Sequence, residues 1–192
     1  YLANWGVNRL YINEETNGFS NIAEAQNLES EELSNGVSWG DYDNDQDFDL
    51  YLANWGVNRL FNNENNIFSN VADVQYVESE ELSNGVSWGD YNNDGMLDLW
   101  TSNIRNPDDV FINLGNSEWD TTFSPQFLSA TQDVVSGDIN GDGWLDVFAA
   151  GLKMQNGPEG AKYTSLLYKN VTVDSSFSTN HWLKLKLEGS QY

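Results

Sequence analysis

Short apolar stretches rich in Val, Ile, Leu, Phe, Tyr and Trp, each bounded by Asn, Gly, Asp or Ser, predict an all-β chain. An internal repeat near fifty residues, and the lack of any sustained 3.6-residue apolar period, narrow this to a partial β-propeller of four-stranded blades. Residues 1–10 recur letter for letter at 51–60, and residues 29–42 recur at 78–91. A period of this size marks one supersecondary unit per repeat, none of which buries its apolar face alone. Four strands per unit is the content of a propeller blade. A β-helix coil is much shorter, and a sandwich has no need for each unit to repeat the last.

In chain order, residues 1–27 supply the last three strands of one blade, and further blades follow near 28–77, 78–127 and 128–179. Residues 85–91 form the strand before a polar loop and 97–103 the strand after it. Residues 58–63 and 68–74 are the third and fourth strands of the preceding unit. Residues 28–33 and 78–82 each suit a single helical turn. Trp39 and Trp88 alternate with Ser38 and Ser87 on the strand entering the loop, so both are expected to pack between blades with equivalent burial. The chain starts inside a blade, and an arc of about four blades leaves its terminal edges exposed, the remaining blades belonging to a longer chain.

The polar loop occurs three times, as DYDNDQDFD (41–49), DYNNDGMLD (90–98) and DINGDGWLD (138–146). Calcium takes six to eight oxygens at about 2.3 to 2.6 Å, and a short loop surrounds it only by turning sharply at its middle. Positions 1, 3 and 5 would coordinate through side chains: Asp41, Asp43 and Asp45; Asp90, Asn92 and Asp94; Asp138, Asn140 and Asp142. Position 7 offers a backbone carbonyl (Asp47, Met96, Trp144), which explains the free choice of side chain there. Asp49, Asp98 and Asp146 close the shell at position 9. The loops start like an EF-hand, but the last carboxylate comes at position 9 and the flanks alternate like strands. Asp, Asn and Gly also make good turns without any ion. That accounts for one such loop, whereas three with the same oxygen frame point to Ca2+. The first loop departs at Gln46, where the others carry Gly95 and Gly143. If that position needs φ above zero, a non-glycine residue costs about 1 to 2 kcal/mol.

The segments at 36–45 (GVSWGDYDND), 49–54 (DLYLAN) and 8–13 (NRLYIN) resemble the FG-GAP-like or VCBS repeats of secreted bacterial proteins, and integrin α-subunit propellers carry similar calcium loops. The stretch 180–189 (NHWLKLKLEG) resembles the opening strand of the ASPIC/UnbV domain of the cartilage acidic protein-like family. The resemblance implies a secreted or cell-surface calcium-binding propeller followed by the start of a further domain at 180–192. It also implies an adhesive role.

Thirty acidic residues against eight basic ones give a formal charge of −22, which repels nucleic acid and anionic membranes. No cysteine is present, so disulfides are excluded and metal loops can take over their stapling role. No membrane span is visible in the sequence. Every strong motif suggests structural metal, which favours a calcium-stabilised module for adhesion or ligand binding over an enzyme. A polysaccharide-active enzyme would need a nucleophile and base outside the loops. A glycan-binding lectin is the alternative, and it would need Trp55, Arg59, Trp5 and Arg9 exposed on one rim to stack on sugar. The sequon at Asn170 and the single His181 at the head of a strand carry no further chemistry.

Overall fold

The structure is a computed structural model that describes residues 1–29, 32–121, 131–151, 165–171 and 181–186. The described residues form strands only, with single helical turns between them. A hairpin of β1 (Tyr11–Asn13) and β2 (Phe19–Asn21) comes first. Sheet one follows as β3 (Leu33–Gly40), β4 (Asp49–Trp55), β5 (Arg59–Glu64) and β6 (Ile67–Asn70). Sheet two holds β7 (Ser83–Gly89), β8 (Asp98–Asn103), β9 (Asp109–Gly115) and β10 (Glu118–Asp120). Sheet three holds β11 (Thr131–Gly137), β12 (Asp146–Gly151), β13 (Leu166–Val171) and β14 (His181–Lys186). Each four-stranded sheet is an antiparallel meander with strands in chain order, consistent with a partial propeller. Ahead of the first hairpin Leu2 forms an isolated bridge with Arg9, at the place where Leu52 pairs with Arg59, so residues 1–27 repeat the second half of a sheet.

Local chemistry sets these elements. Asn65 and Asn66, both with positive φ, turn β5 into β6 through the tight primed turn whose twist matches a hairpin, and Asn116 and Ser117 do the same between β9 and β10. The expected strand 68–74 stops at Asn70 because its Oδ1 caps the N–H of Ala72 and opens a helical turn. That turn spans 71–76 and has a twin at 22–27, each closed by a left-handed residue, Tyr76 or Asn27. Helical turns were expected at 28–33 and 78–82. Glu78 to Glu81 are instead non-helical, Leu82 forms a bridge to Trp55, and residues 30 and 31 lie outside the described residues.

The core lies between sheets. Tyr42, Tyr51 and Leu60 of the first sheet's region pack with Leu99, Phe111, Trp88 and Trp119 of the second. Tyr91, Trp100 and Val110 pack with Val134, Val147, Leu166 and Tyr168 of the third. Ala23, Leu28, Leu10 and Tyr1 cover Leu50, Leu52 and Phe61. The second strands are therefore sandwiched on both faces: every residue of β8, and every residue of β4 except Trp55, is buried.

Trp39 and Trp88 are not equivalently buried, contrary to expectation. Trp88 stacks at 6.2 Å on Tyr42, which the preceding loop supplies, and its indole N–H reaches the Ser38 carbonyl. Trp39 occupies the same place on β3 but stays 38 % exposed against the edge of Phe68, because no described loop supplies a tyrosine to cover it. Residues 181–186, within the stretch expected to begin a further domain at 180–192, form β14, paired along the whole of β13. Its pairing completes sheet three and satisfies the ladder groups of β13 that would otherwise form an edge.

Buried polar side chains set the spacing between sheets. Asn8 and Asn58 each accept a backbone N–H, from Asn4 and Asn54 at 2.8 Å, and donate to the first serine of the next inner strand, Ser34 at 2.7 Å and Ser83 at 2.9 Å. In the third instance the polarity reverses. Asp108 accepts the Asn103 N–H at 3.0 Å, the Trp100 indole N–H at 3.2 Å and the Thr131 hydroxyl. Inner strands β3, β7 and β11 approach closely enough that glycine is required: a Cβ on Gly36 would sit 2.3 Å from the Asn84 carbonyl oxygen.

Gly36→Ala should therefore destabilise the fold by about 1 to 3 kcal/mol through overpacking against backbone, read as a lower urea midpoint with unchanged slope. Asp108→Asn should cost about 1 to 3 kcal/mol, since one of its donors must then face an amide N–H. A midpoint equal to the parent would show that Asp108 is not needed as a triple acceptor.

Candidate metal loops

Each loop joins the first two strands of a sheet, and the last ladder pair before it is Gly40 with Asp49, Gly89 with Asp98 or Gly137 with Asp146. The position-9 aspartate thus starts the second strand. In all three loops its two oxygens accept one backbone N–H from loop position 2 and one from the third strand. Asp49 accepts from Tyr42 at 3.1 Å and Asn63 at 2.8 Å. Asp98 accepts from Tyr91 and Asn113, both at 2.8 Å. Asp146 accepts from Ile139 at 3.3 Å and Asn170 at 2.8 Å.

Inside the loops the hydrogen bonds repeat. The N–H of position 6 donates to position 1: Gln46 to Asp41, Gly95 to Asp90, Gly143 to Asp138. The N–H of position 5 donates to position 3, and that of position 7 to position 5. Position 6 has φ of 78° at Gln46, 89° at Gly95 and 86° at Gly143, so the first loop does hold a glutamine in the left-handed region. Position 4 needs the same region, with φ of 60° at Asn44, 56° at Asn93 and 76° at Gly141. The sequence reading missed position 4, although its Asn, Asn, Gly series is the signal of that backbone.

Loop one brings carboxylate oxygens of Asp41, Asp43 and Asp49 within 4.8 Å of one another, close enough to hold a metal ion. Asp45 and Asp47 spend an oxygen each on backbone N–H groups, of Asp47 and Asn65. In loops two and three Asn92 and Asn140 replace the second carboxylate of that trio. Burial pushes Asp49 and Asp98 up to about 7, against the pull of their two backbone N–H partners, and neighbouring loop carboxylates push further. Burial, then Asp45, also raises Asp43. Exposed Asp138 lies below the usual carboxylate range because the Gly143 N–H, then those of Gly141 and Asp142, hold its charged form. The donor set fits a hard cation on one further observation: Asp41 Oδ1 is buried and accepts no hydrogen bond in the protein. A buried carboxylate oxygen without a donor is costly unless an ion meets it.

The rim at the opposite ends of the strands carries Trp5 and Trp55, with ring centroids 5.2 Å apart and Trp5 68 % exposed. Their indole N–H groups donate to Asn35 and Asn84. Arg59 is held by both oxygens of Glu32, at 2.6 and 2.8 Å, and Arg9 is exposed beside Tyr11. The two tryptophans meet on one rim, but the polar groups beside them are engaged within the protein.

Repeated antiparallel four-stranded sheets packed face to face, each with the same aspartate loop after its first strand, define a β-propeller-like repeat protein. The FG-GAP-like repeat family matches residues 41–101 and again 90–149, together more than half of the chain. The chain belongs to the FG-GAP-like repeat family. No curated protein matches it. Among the described residues no helix is long and apolar enough to cross a membrane.

Gln46→Gly should relieve about 1 to 2 kcal/mol of left-handed strain and lose about 0.4 to 1 kcal/mol to the freer unfolded chain. The expected outcome is a small net gain in stability and tighter calcium uptake at loop one. Weaker uptake in calorimetry would show that the Gln46 side chain has a role the backbone does not explain.

Proposed function

We propose that this chain is an extracellular, calcium-stabilised propeller module for adhesion or ligand binding, with the ions structural. The observation that carries the calcium reading is the threefold recurrence of one loop geometry, together with the donorless Asp41 Oδ1. Positions 1, 3, 5 and 9 of each loop would hold the ion through side chains, and Asp47, Met96 and Trp144 through their carbonyls. When bound, calcium supplies positive charge that offsets the mutual repulsion of carboxylates gathered by the fold. Asp49, Asp98 and Asp146 already tie loop to sheet through backbone N–H groups, so an ion beside them would tighten the same junction.

The reading as a module and not an enzyme rests on where the carboxylates go: those clustered in the loops serve loop geometry and sheet closure. The secreted setting rests on the millimolar calcium that low-affinity calcium loops of extracellular modules require. The net charge of −22 directs the search toward protein or neutral glycan ligands and away from nucleic acid.

At millimolar calcium, a site with a dissociation constant near 10⁻⁴ M stabilises the native state by about 1.4 kcal/mol, and three such sites by about 4. Chelator should then lower the melting midpoint by roughly 8 to 16 °C. An unchanged midpoint and no heat of calcium binding would sink the calcium reading. Screening immobilised extracellular proteins and a glycan array, each with and without calcium, tests the adhesive role. Binding to neither would refute it.

A further inference from the structure

We propose that the three metal loops take up calcium cooperatively, because the position-4 asparagine of one loop grips the peptide beside the expected ligands of the next. This rests on the calcium reading above. Asn44 Nδ2 of loop one donates to the Gly95 carbonyl of loop two at 3.2 Å and lies 3.1 Å from Met96 Sδ. Asn93 Nδ2 of loop two donates to the Gly143 carbonyl of loop three at 3.0 Å. The same contact thus occurs twice between successive loops.

The gripped peptide is central to its loop. The Gly95–Met96 peptide offers its carbonyl to Asn44 while its N–H donates to Asp94 Oδ1 at 2.8 Å. The Gly143–Trp144 peptide is held the same way, by Asn93 on one side and Asp142 Oδ1 at 3.0 Å on the other. Asp94 and Asp142 are expected ligands, and the next carbonyl along the chain, of Met96 or Trp144, is another. On the donor side, Asn44 lies between Asp43 and Asp45, and Asn93 between Asn92 and Asp94. An ion that fixes positions 3 and 5 of one loop therefore fixes the asparagine between them. That asparagine orients a peptide of the next loop, which then has less ordering left to do when it binds. Coupling of this kind is reciprocal: filling loop three favours loop two by the same factor.

Left-handed backbone alone would explain an asparagine at position 4, but Gly141 meets the same need in loop three with no side chain at all. Glycine at 44 or 93 should accordingly keep the backbone and delete only the amide. Repulsion between bound ions acts in the opposite direction and is screened at physiological salt, so the measurement belongs there.

The test is a calorimetric titration of the full chain with calcium chloride, for the parent, Asn44→Gly, Asn93→Gly and the double variant. The parent should show a Hill coefficient above one. Each single variant should be less steep and bind about three- to tenfold more weakly, the equivalent of one amide hydrogen bond, and the double variant should show independent sites. Asp142→Ala should weaken the remaining sites in the parent but not in the Asn93→Gly background. Melting in chelator confirms that each variant folds, and the parent curve decides the matter if one does not. A parent Hill coefficient of one, or variants as steep as the parent, would overturn the coupling while leaving calcium binding intact. Absence of any uptake would overturn the calcium reading and the coupling with it.

Discussion

Asp49, Asp98 and Asp146 each hold two backbone N–H groups at once, one from the loop that precedes them and one from the third strand of their sheet. These aspartates are buried, and a buried carboxylate is tolerated only when its oxygens are met. The two donors set the loop's closing angle, the start of the second strand and the placement of the third. Asn113 and Asn170, the same residues whose N–H groups are held there, also send their side-chain amides to the carbonyls of Tyr42 and Tyr91 in the preceding loop. Loop, sheet and neighbouring sheet thus meet at one cluster.

Sheet-to-sheet packing adds a second constraint. Apolar contact between sheets is non-directional and would tolerate sliding, whereas the Asn8–Ser34, Asn58–Ser83 and Asp108–Thr131 contacts allow one offset only. The third pair shows how a local change propagates. Trp100 stands where the first sheet has Tyr51, and its indole N–H needs an acceptor. Aspartate replaces asparagine to supply it, and the partner hydroxyl then donates instead of accepting. Burial raises the carboxyl of Asp108 above the usual range, which is the cost of this arrangement and is partly offset by its three donors.

The aspartate loops concentrate like charge at the rim of an already acidic protein. Among the described residues their geometry is held by backbone N–H groups and asparagine side-chain amides, with no salt bridge to a loop carboxylate, so the oxygen frames are preorganised but electrostatically strained. A divalent ion would relieve that strain where disulfides are absent. Asn44 and Asn93 run from one frame to the next, making the three loops a row and not three separate features.

Sequence alone determined the strand content, the blade-sized unit and the three loops, because repetition, alternation and Asp/Asn/Gly spacing are local properties. It also located the strain at Gln46, since glycine at the equivalent position in two sister loops names the backbone angle required. Tertiary structure decided what depends on neighbours distant in the chain. Identical strand sequences leave Trp39 half open and cover Trp88, because a tyrosine from the preceding loop reaches only the second. The partner of residues 181–186 was likewise a tertiary matter: they lie along β13 as the fourth strand of the third sheet and cover its edge. The buried Asn–Ser ladder and the links between loops were equally invisible in sequence: each joins residues more than twenty apart, and polar residues in turns look alike until the fold shows which of them face one another.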